Sequence, residues 1–353
     1  AARLSRPTRC STTEGAASVT TVVATRLHWP DAAEAAYQNT AAALEALQYR
    51  DERFARLTIA SDRPVVVKPN LCQPPDPGLP FGPRPDEARG YVTRAVTNPF
   101  CLRAIVEHLV LRGAREIWIV ESVSWPGGTE HAYRSAGYEA VLGDLRHLRF
   151  LDFHTDREGE RMRVRLGEGS RNERFNDFAV NRRLIEAQLL VNVGVPKCHV
   201  VLGFSGCVAN LFGLLEPSTA RVDAHEGADP LWDRPTRGTL ARGYQRLSEA
   251  VVQVHYGIRR HLDLPELCVL DGTVCAEGDG PLFGYSRSRR EDVVFAAWDD
   301  PVAVDLAAAT YAGLDAESLR DQAHAALDLL TATPTYARSP ASGVQVRYLD
   351  VPG

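Results

Sequence analysis

Lysine is almost missing from this 353-residue chain. Of its 40 basic residues only Lys68 and Lys197 are lysine, and the other 38 are arginine. At a solvated surface that exchange costs little. It is not neutral where a compact, titratable amine is needed, because guanidinium is planar and always charged whereas a buried ammonium shifts its pKa readily. Two lysines retained against arginine therefore mark positions that require an amine.

Other absences exclude whole classes of function. The seven cysteines, Cys10, Cys72, Cys101, Cys198, Cys207, Cys268 and Cys275, form no C-x-x-C pair. That removes a zinc ribbon and a ferredoxin-type cluster, so no iron–sulfur cluster is expected, and the cofactor otherwise stays unassigned. An odd, scattered set suits a reducing cytoplasm. No apolar run approaches the roughly 18 residues of a membrane helix, so no membrane role is expected. The net charge of -5 gives no electrostatic reason to expect nucleic acid. The first residues show no charged segment followed by an apolar one, so no signal peptide is expected and the location is read as cytoplasmic. No internal repeat or low-complexity tract occurs. A homodimer is compatible with all of this.

What is present is a βα rhythm. Residues 1–18 are polar and are read as a flexible terminus, and 19–353 as one α/β domain. TTVVATRL at 20–27 reads as a strand, and a helix comes next over Asp31–Phe54. PVVVKPNL gives a β-branched strand ending at Lys68. The stretch Pro69–Thr97 carries seven prolines with several glycines, which no helix or central strand tolerates, and is read as a lid or binding loop. Phe100–Arg112 is an amphipathic helix, Glu116–Glu121 a strand, and Thr129 caps a helix running to Ala136. Phe150–Phe153 and Met162–Leu166 read as short strands of a small antiparallel insertion within 145–180. LLVNVGV at 189–195 has the continuous apolar character of a central parallel strand. Helices are expected at Cys207–Leu215, Thr239–Leu262, Pro301–Ala312 and Ala316–Leu330. Strands are expected at Leu267–Asp271 and Val293–Ala297, with an edge strand at Gln345–Leu349. The fold class is α/β, a mainly parallel sheet with helices on both faces.

Ligands of such sheets bind outside the carboxyl ends of the strands. The polar residues at those strand ends are Lys68 with Asn70, Glu121 with Ser122, Lys197 with His199, and Asp271. Ammonium, imidazole and carboxylate groups together can bind an anion and move protons. Lys197 and His199 are two apart and share a side in extended backbone. Gly203, Phe204, Ser205 and Gly206 then lead into a helix whose N-terminus could cradle a carboxylate or phosphate, with Ser205 as its cap. His199 and His225 form either an acid–base pair or, if a metal is present, its ligands. Cys198 and Cys207 flank this region and read as buried, inert thiols. GDGPLFG at 278–284 reads as another rim of the pocket. Asp299, Asp300 and Asp305 surround the next helix start, where aspartate favours the dipole.

Several blocks in order resemble the bacterial and archaeal domain-of-unknown-function family numbered 362. They are VVVKPNL at 65–71, TNP at 97–99, GAREIWIVES at 113–122, VPKCH at 195–199, SGCVANLFG at 205–213, His225, LDGTVCAEGDGPLFG at 270–284 and DDPVAVD at 299–305. The resemblance covers roughly residues 60–315. Members commonly carry a lysine where this chain has Ala209, just before Asn210, and many carry a ferredoxin-like cysteine module that is absent here. A weaker similarity, in His199, Gly203–Gly206 and His225, is to the nickel-pincer lactate racemase family. It implies a pocket for a small hydroxy acid or related anion.

The function expected is an enzyme of the isomerase, epimerase or lyase type, acting on a small anionic substrate by acid–base chemistry at carbon. Lys197, His199, Lys68 and Glu121 would be the catalytic residues, with Lys197 as the electrophilic or basic amine, His199 as its acid–base partner and Lys68 as the anion anchor. Asn70, Ser122, Gly203, Ser205, Gly206, Asn210, His225 and Asp271 would bind substrate. Ala209 in place of the family lysine fits a specialised substrate, as in bacterial secondary metabolism. A metal- or cofactor-dependent redox enzyme and a non-catalytic carrier of an anion or cofactor stand as the rival readings.

Overall fold

The computed structural model describes residues 20–71, 96–123, 128–154, 160–165, 177–199, 203–215, 237–277, 287–312 and 344–349. In chain order the first half holds β1 (Thr20–Arg26), α1 (Ala32–Arg50), α2 (Glu52–Ala55), β2 (Val65–Pro69), α3 (Pro99–Leu111), β3 (Ile117–Glu121), α4 (Gly128–Ser135), α5 (Tyr138–Leu142) and β4 (Leu148–Asp152). Then come β5 (Arg161–Arg165), β6 (Asp177–Asn181), a 3-10 turn (Arg182–Glu186), β7 (Leu189–Gly194), β8 (Lys197–His199) and β9 (Gly203–Ser205). The last part holds α6 (Cys207–Asn210), a 3-10 turn (Leu211–Leu214), α7 (Arg237–Leu262), β10 (Glu266–Glu277), β11 (Arg287–Trp298), α8 (Pro301–Tyr311) and β12 (Val344–Leu349).

The main sheet runs β12-β1-β11-β10-β7-β2-β3-β4. Pairing is parallel except where β11 meets β1 and β10. β2, β3 and β7 are buried along their whole length. They are covered on both faces, which is why they read as unbroken apolar runs. The side-chain period of two divides them between two cores. Val65 and Val67 pack with α1 and α3, whereas Val66 and Leu190 pack with α7 and the β5–β6 pair. Lys68 and Asn192 continue the second series, so these polar residues lie toward α6 and α7. A third core, with Val22, Leu270, Phe295 and Val304, packs α8 against β1, β10 and β11, and such burial stabilises by about 25 cal/mol per Å² of apolar surface removed from water.

Several expectations are corrected in detail. The helix over 31–54 is broken at Asp51, whose backbone turns extended while its carboxylate accepts from Arg53 N and Phe54 N and starts α2. Aspartate competes for backbone N–H groups this way more strongly than it supports a helix interior. Residues 148–152 are not part of the insertion. They form β4, a parallel edge strand on β3, and the small antiparallel sheet is β5 with β6. Thr129 lies inside α4 and ties the sheet instead, donating to Asp152 Oδ1 and accepting from Val123 N. The helix from Cys207 tightens to 3-10 after one turn. β10 and β11 are twelve residues each and form a long antiparallel pair. The edge strand at the C-terminal end is there, parallel to β1. Most of the proline-rich segment, the loop at 278–284 and the helix at 316–330 lie outside the described residues. Among those residues, no helix is long and apolar enough to cross a membrane.

Candidate active site

At the carboxyl end of β2, Lys68 is 1% exposed and its Nζ donates to Glu121 Oε2 at 2.7 Å. It also donates to Pro69 O at 2.7 Å and to Asn210 Oδ1 at 3.4 Å. An ammonium has three N–H donors, and these three acceptors match them. Glu121, at the end of β3, accepts in addition from Leu71 N at 3.2 Å and, through Oε1, from Ser122 N at 3.0 Å. A buried charge is tolerated only when paired and hydrogen-bonded, and both conditions hold here. Gly213 closes over the pair. A Cβ built on it would stand 2.9 Å from Lys68 Nζ and 3.0 Å from Glu121 Oε1, so no side chain fits there without displacing the pair.

Asn210 also links this pair to the interior of the sheet. Its Nδ2 donates to Lys68 O at 3.0 Å and to Asn192 Oδ1 at 2.8 Å. Asn192, on β7, donates to Cys207 O at 2.7 Å and to Glu266 Oε1 at 2.8 Å.

Lys197 is held differently. It lies in the short β8–β9 hairpin, which hangs from the far end of β10 through the pairing of Lys197 with Ala276. Its Nζ donates to Asn70 Oδ1 at 2.9 Å, and it too is buried. Asn70 is positioned by Thr97. The Asn70 N–H donates to Thr97 Oγ1 at 2.8 Å, the Thr97 N–H donates to Asn70 O at 2.9 Å, and Thr97 Oγ1 donates to Val193 O at 2.9 Å. Leu71 and Val96 form a bridge, so the proline-rich segment leaves and returns beside the lysines.

The helix start that the sequence offers as an anion cradle is already occupied by a carboxyl group of the chain itself. Asp305 of α8 accepts from Cys207 N at 2.6 Å and from Val208 N at 3.0 Å. Ser205 is therefore not the cap, and Gly206 at the cap position makes no side-chain bond. Gly206 is needed because a Cβ there would meet Asp305 Oδ1 at 2.3 Å. Asp305 keeps a little solvent exposure, yet burial of its carboxyl pushes it up to about 7, against the pull of the Val208 and Cys207 N–H groups and of the Lys197 charge. Ser205 pairs with Lys197 across the hairpin and is buried. Cys207 is a buried free thiol whose burial pushes it up to about 11, which makes it inert at neutral pH.

The structure thus joins Lys68, Glu121 and Asn210 in one cluster and Lys197 with Asn70 in another, along one sheet edge. Asp271 stands apart from both. Its Oδ2 accepts from Asn98 N at 2.6 Å and its Oδ1 from Thr273 N and Oγ1, fixing the start of α3 to β10, and burial raises its pKa. Ser122 is buried and its Oγ has no hydrogen-bond partner among the described residues. His199 is in β8 with its backbone opposite Gly203, while its side chain and all of His225 lie outside the described part of the chain. Among the described residues no group of three or more His, Cys, Asp or Glu is placed to hold a metal ion. Sequence reasoning missed Asn192, Gly213 and the capping role of Asp305. An amide inside the apolar run LLVNVGV was the available signal for the first, since a buried polar group implies a partner.

Known proteins share parts of this chain. It is 27% identical over 273 residues to the thylakoid-associated protein sll1697 of Synechocystis, covering 77% of this chain and 70% of that protein. Among solved structures it aligns with the lactate racemase apoprotein from Thermoanaerobacterium thermosaccharolyticum at a TM-score of 0.41 and 14% identity, over 71% of this chain. It spans half the length of that chain. The model of the family described as a domain of unknown function (DUF362) matches residues 65–310, well over half of the sequence. The blocks VVVKPNL and VPKCH, which carry the two lysines, fall inside that match, and the chain belongs to the DUF362 family.

Proposed function

We propose that the chain is an enzyme that transfers a proton at carbon in a small anionic molecule, an isomerase, epimerase or lyase, with Lys197 as the working amine. One observation carries this reading. Lys197 is a buried amine bonded to the neutral Asn70 carbonyl, and its charge acts on a carboxyl, Asp305, that titrates at about 7. A buried amine near an acid that changes charge at neutral pH supplies the two partners of general acid–base catalysis.

Further roles belong to the same proposal. Lys68 is bonded to protein acceptors, so its proposed role is a fixed positive charge near the site rather than direct contact with the anion. Asn70 orients the Lys197 amine. Ser122 offers an unspent hydroxyl to a ligand. His199, two residues from Lys197 on the same strand, is proposed as a further proton-transfer group.

The test is isotope exchange. The full chain is incubated in D2O with small 2-hydroxy and 2-oxo carboxylates and their phosphorylated analogues, and deuterium at carbon is monitored by NMR. Exchange next to the carboxylate is expected, falling by about 100-fold or more in Lys197→Ala. Tight binding of one of these anions with no exchange would contradict the proposal and identify a carrier.

A further inference from the structure

Three polar side chains on neighbouring strands line up beneath α6 and α7. From Lys68 of β2 the contacts run through Asn210 to Asn192 of β7 and on to Glu266 at the start of β10. Asn192 and Glu266 are both fully buried. Beyond Glu266, His255 Nε2 lies 3.2 Å and Arg259 Nε 3.3 Å from its Oε2, and Arg259 also contacts Asp299.

We infer that Asn192 and Glu266 are positioning residues of the site, fixing the Asn210 amide so that it turns its carbonyl oxygen to Lys68 and holds that amine as an ammonium ion. Hydrogen-bond direction decides the matter. An ionised carboxylate only accepts hydrogen bonds. Glu266 therefore draws the Asn192 amino group toward itself, at 2.8 Å, which leaves Asn192 Oδ1 facing Asn210. Asn210 must answer with its own amino group, and its oxygen is left for Lys68. Turning either amide over would set donor against donor at one end and acceptor against acceptor at the other. For Asn210 that means Nδ2 against the Lys68 ammonium and Oδ1 against both Lys68 O and Asn192 Oδ1. Each amide is also pinned by a second bond, to Lys68 O and to Cys207 O respectively.

The chain of amides needs a charged terminus, and the surroundings of Glu266 provide it. Burial works against the charged carboxylate, but His255, Arg259 and Asn192 together outweigh it and hold the group at about 2. Around Lys68 stand Glu121 from β3 and Asn210 from α6, with the buried phenols of Tyr133 and Tyr138 in the field of Glu121. This positioning holds whether or not the reaction is the one proposed above, because it concerns the state of an amine and not the substrate.

The near absence of lysine makes the test direct. Lysine labelled with 15N at Nζ gives two side-chain signals for the whole chain, assigned with Lys197→Arg, and the rate of ammonium proton exchange with water is read for each. Glu266→Gln keeps the volume but offers Asn192 either an oxygen or an amino group, so the direction is no longer imposed. Asn192→Leu cuts the chain of amides outright. In both, exchange at Lys68 is expected to quicken about tenfold, the size of one lost hydrogen bond, while Lys197 is unchanged. Should Asn192→Leu fail to fold, Glu266→Gln decides alone. Unchanged exchange at Lys68 in folded Glu266→Gln, or equal change at both lysines, would overturn the inference.

Discussion

Lys68 and Lys197 stand at the same edge of one sheet in opposite surroundings. Lys68 faces a carboxylate at 2.7 Å and sits at the end of a chain of oriented amides. Lys197 is bonded to a neutral amide oxygen, Asn70 Oδ1, and sits in the two-stranded β8–β9 hairpin hung from the end of β10. The first arrangement spends a charge on structure. In the function proposed above, the second keeps an amine whose state a ligand would change. The difference teaches that rarity picks out both lysines, while the partners of each set them in two distinct environments.

The comparison breaks most visibly at Glu121. Glu121→Ala leaves the Lys68 ammonium buried without its counter-charge, and a loss of about 3–5 kcal/mol in urea denaturation is expected. Lys197→Ala removes the hydrogen bond to the neutral Asn70 amide, and a smaller loss of about 1–3 kcal/mol is expected. Equal losses would mean that the two lysines are not distinguished as described. Gly213→Ala tests the same pair from above. Its Cβ would press on Lys68 Nζ and Glu121 Oε1, so overpacking of about 1–3 kcal/mol is expected, together with a slower reaction.

The Lys197 side can be sharpened by pH. Asp305 moves from an ordinary 3.8 to about 7 in the folded chain, mainly through burial. Its folded value is raised, so the native state holds that proton more tightly than the unfolded chain. The stability it contributes is complete below about 3.8 and is lost as pH rises through about 7. Asp305→Asn imitates the protonated form and lacks this dependence. The difference in urea midpoint between variant and wild type should therefore drift in favour of the variant from about pH 4 to about pH 7. A drift the other way would show that the Cys207 and Val208 N–H bonds outweigh burial. The smallest effect is expected at Ser122→Ala. Its Oγ has no protein partner among the described residues, so stability should stay level or rise by up to about 1 kcal/mol while ligand affinity falls. A clear loss of stability would mean that the hydroxyl serves the fold.

Much of this was legible in the sequence, for identifiable reasons. Val65–Val67 and Leu189–Val193 read as central strands because burial on both faces removes any polar alternation. Lys68, Glu121 and Asn70 were placed correctly at strand ends because a parallel sheet gathers its carboxyl ends along one edge. Asp305 was not legible as a cap. Its partner N–H groups lie nearly a hundred residues away, and within its own helix it reads as a dipole-friendly aspartate. Gly213 was hidden because a glycine's reason is a neighbour it cannot name, here the Lys68–Glu121 pair. The break at Asp51 was hidden by the strong helix formers on both sides, which carry the periodicity straight through it.

The central claim is that Lys197 is the amine that changes state and Lys68 the one that does not. Its most direct test is a pH titration of the two 15N-labelled lysine side chains in the intact protein. Lys197 is predicted to lose its proton first as pH rises, with Lys68 remaining an ammonium ion over the same range. Loss of the Lys68 proton first, or of both together, would contradict the account.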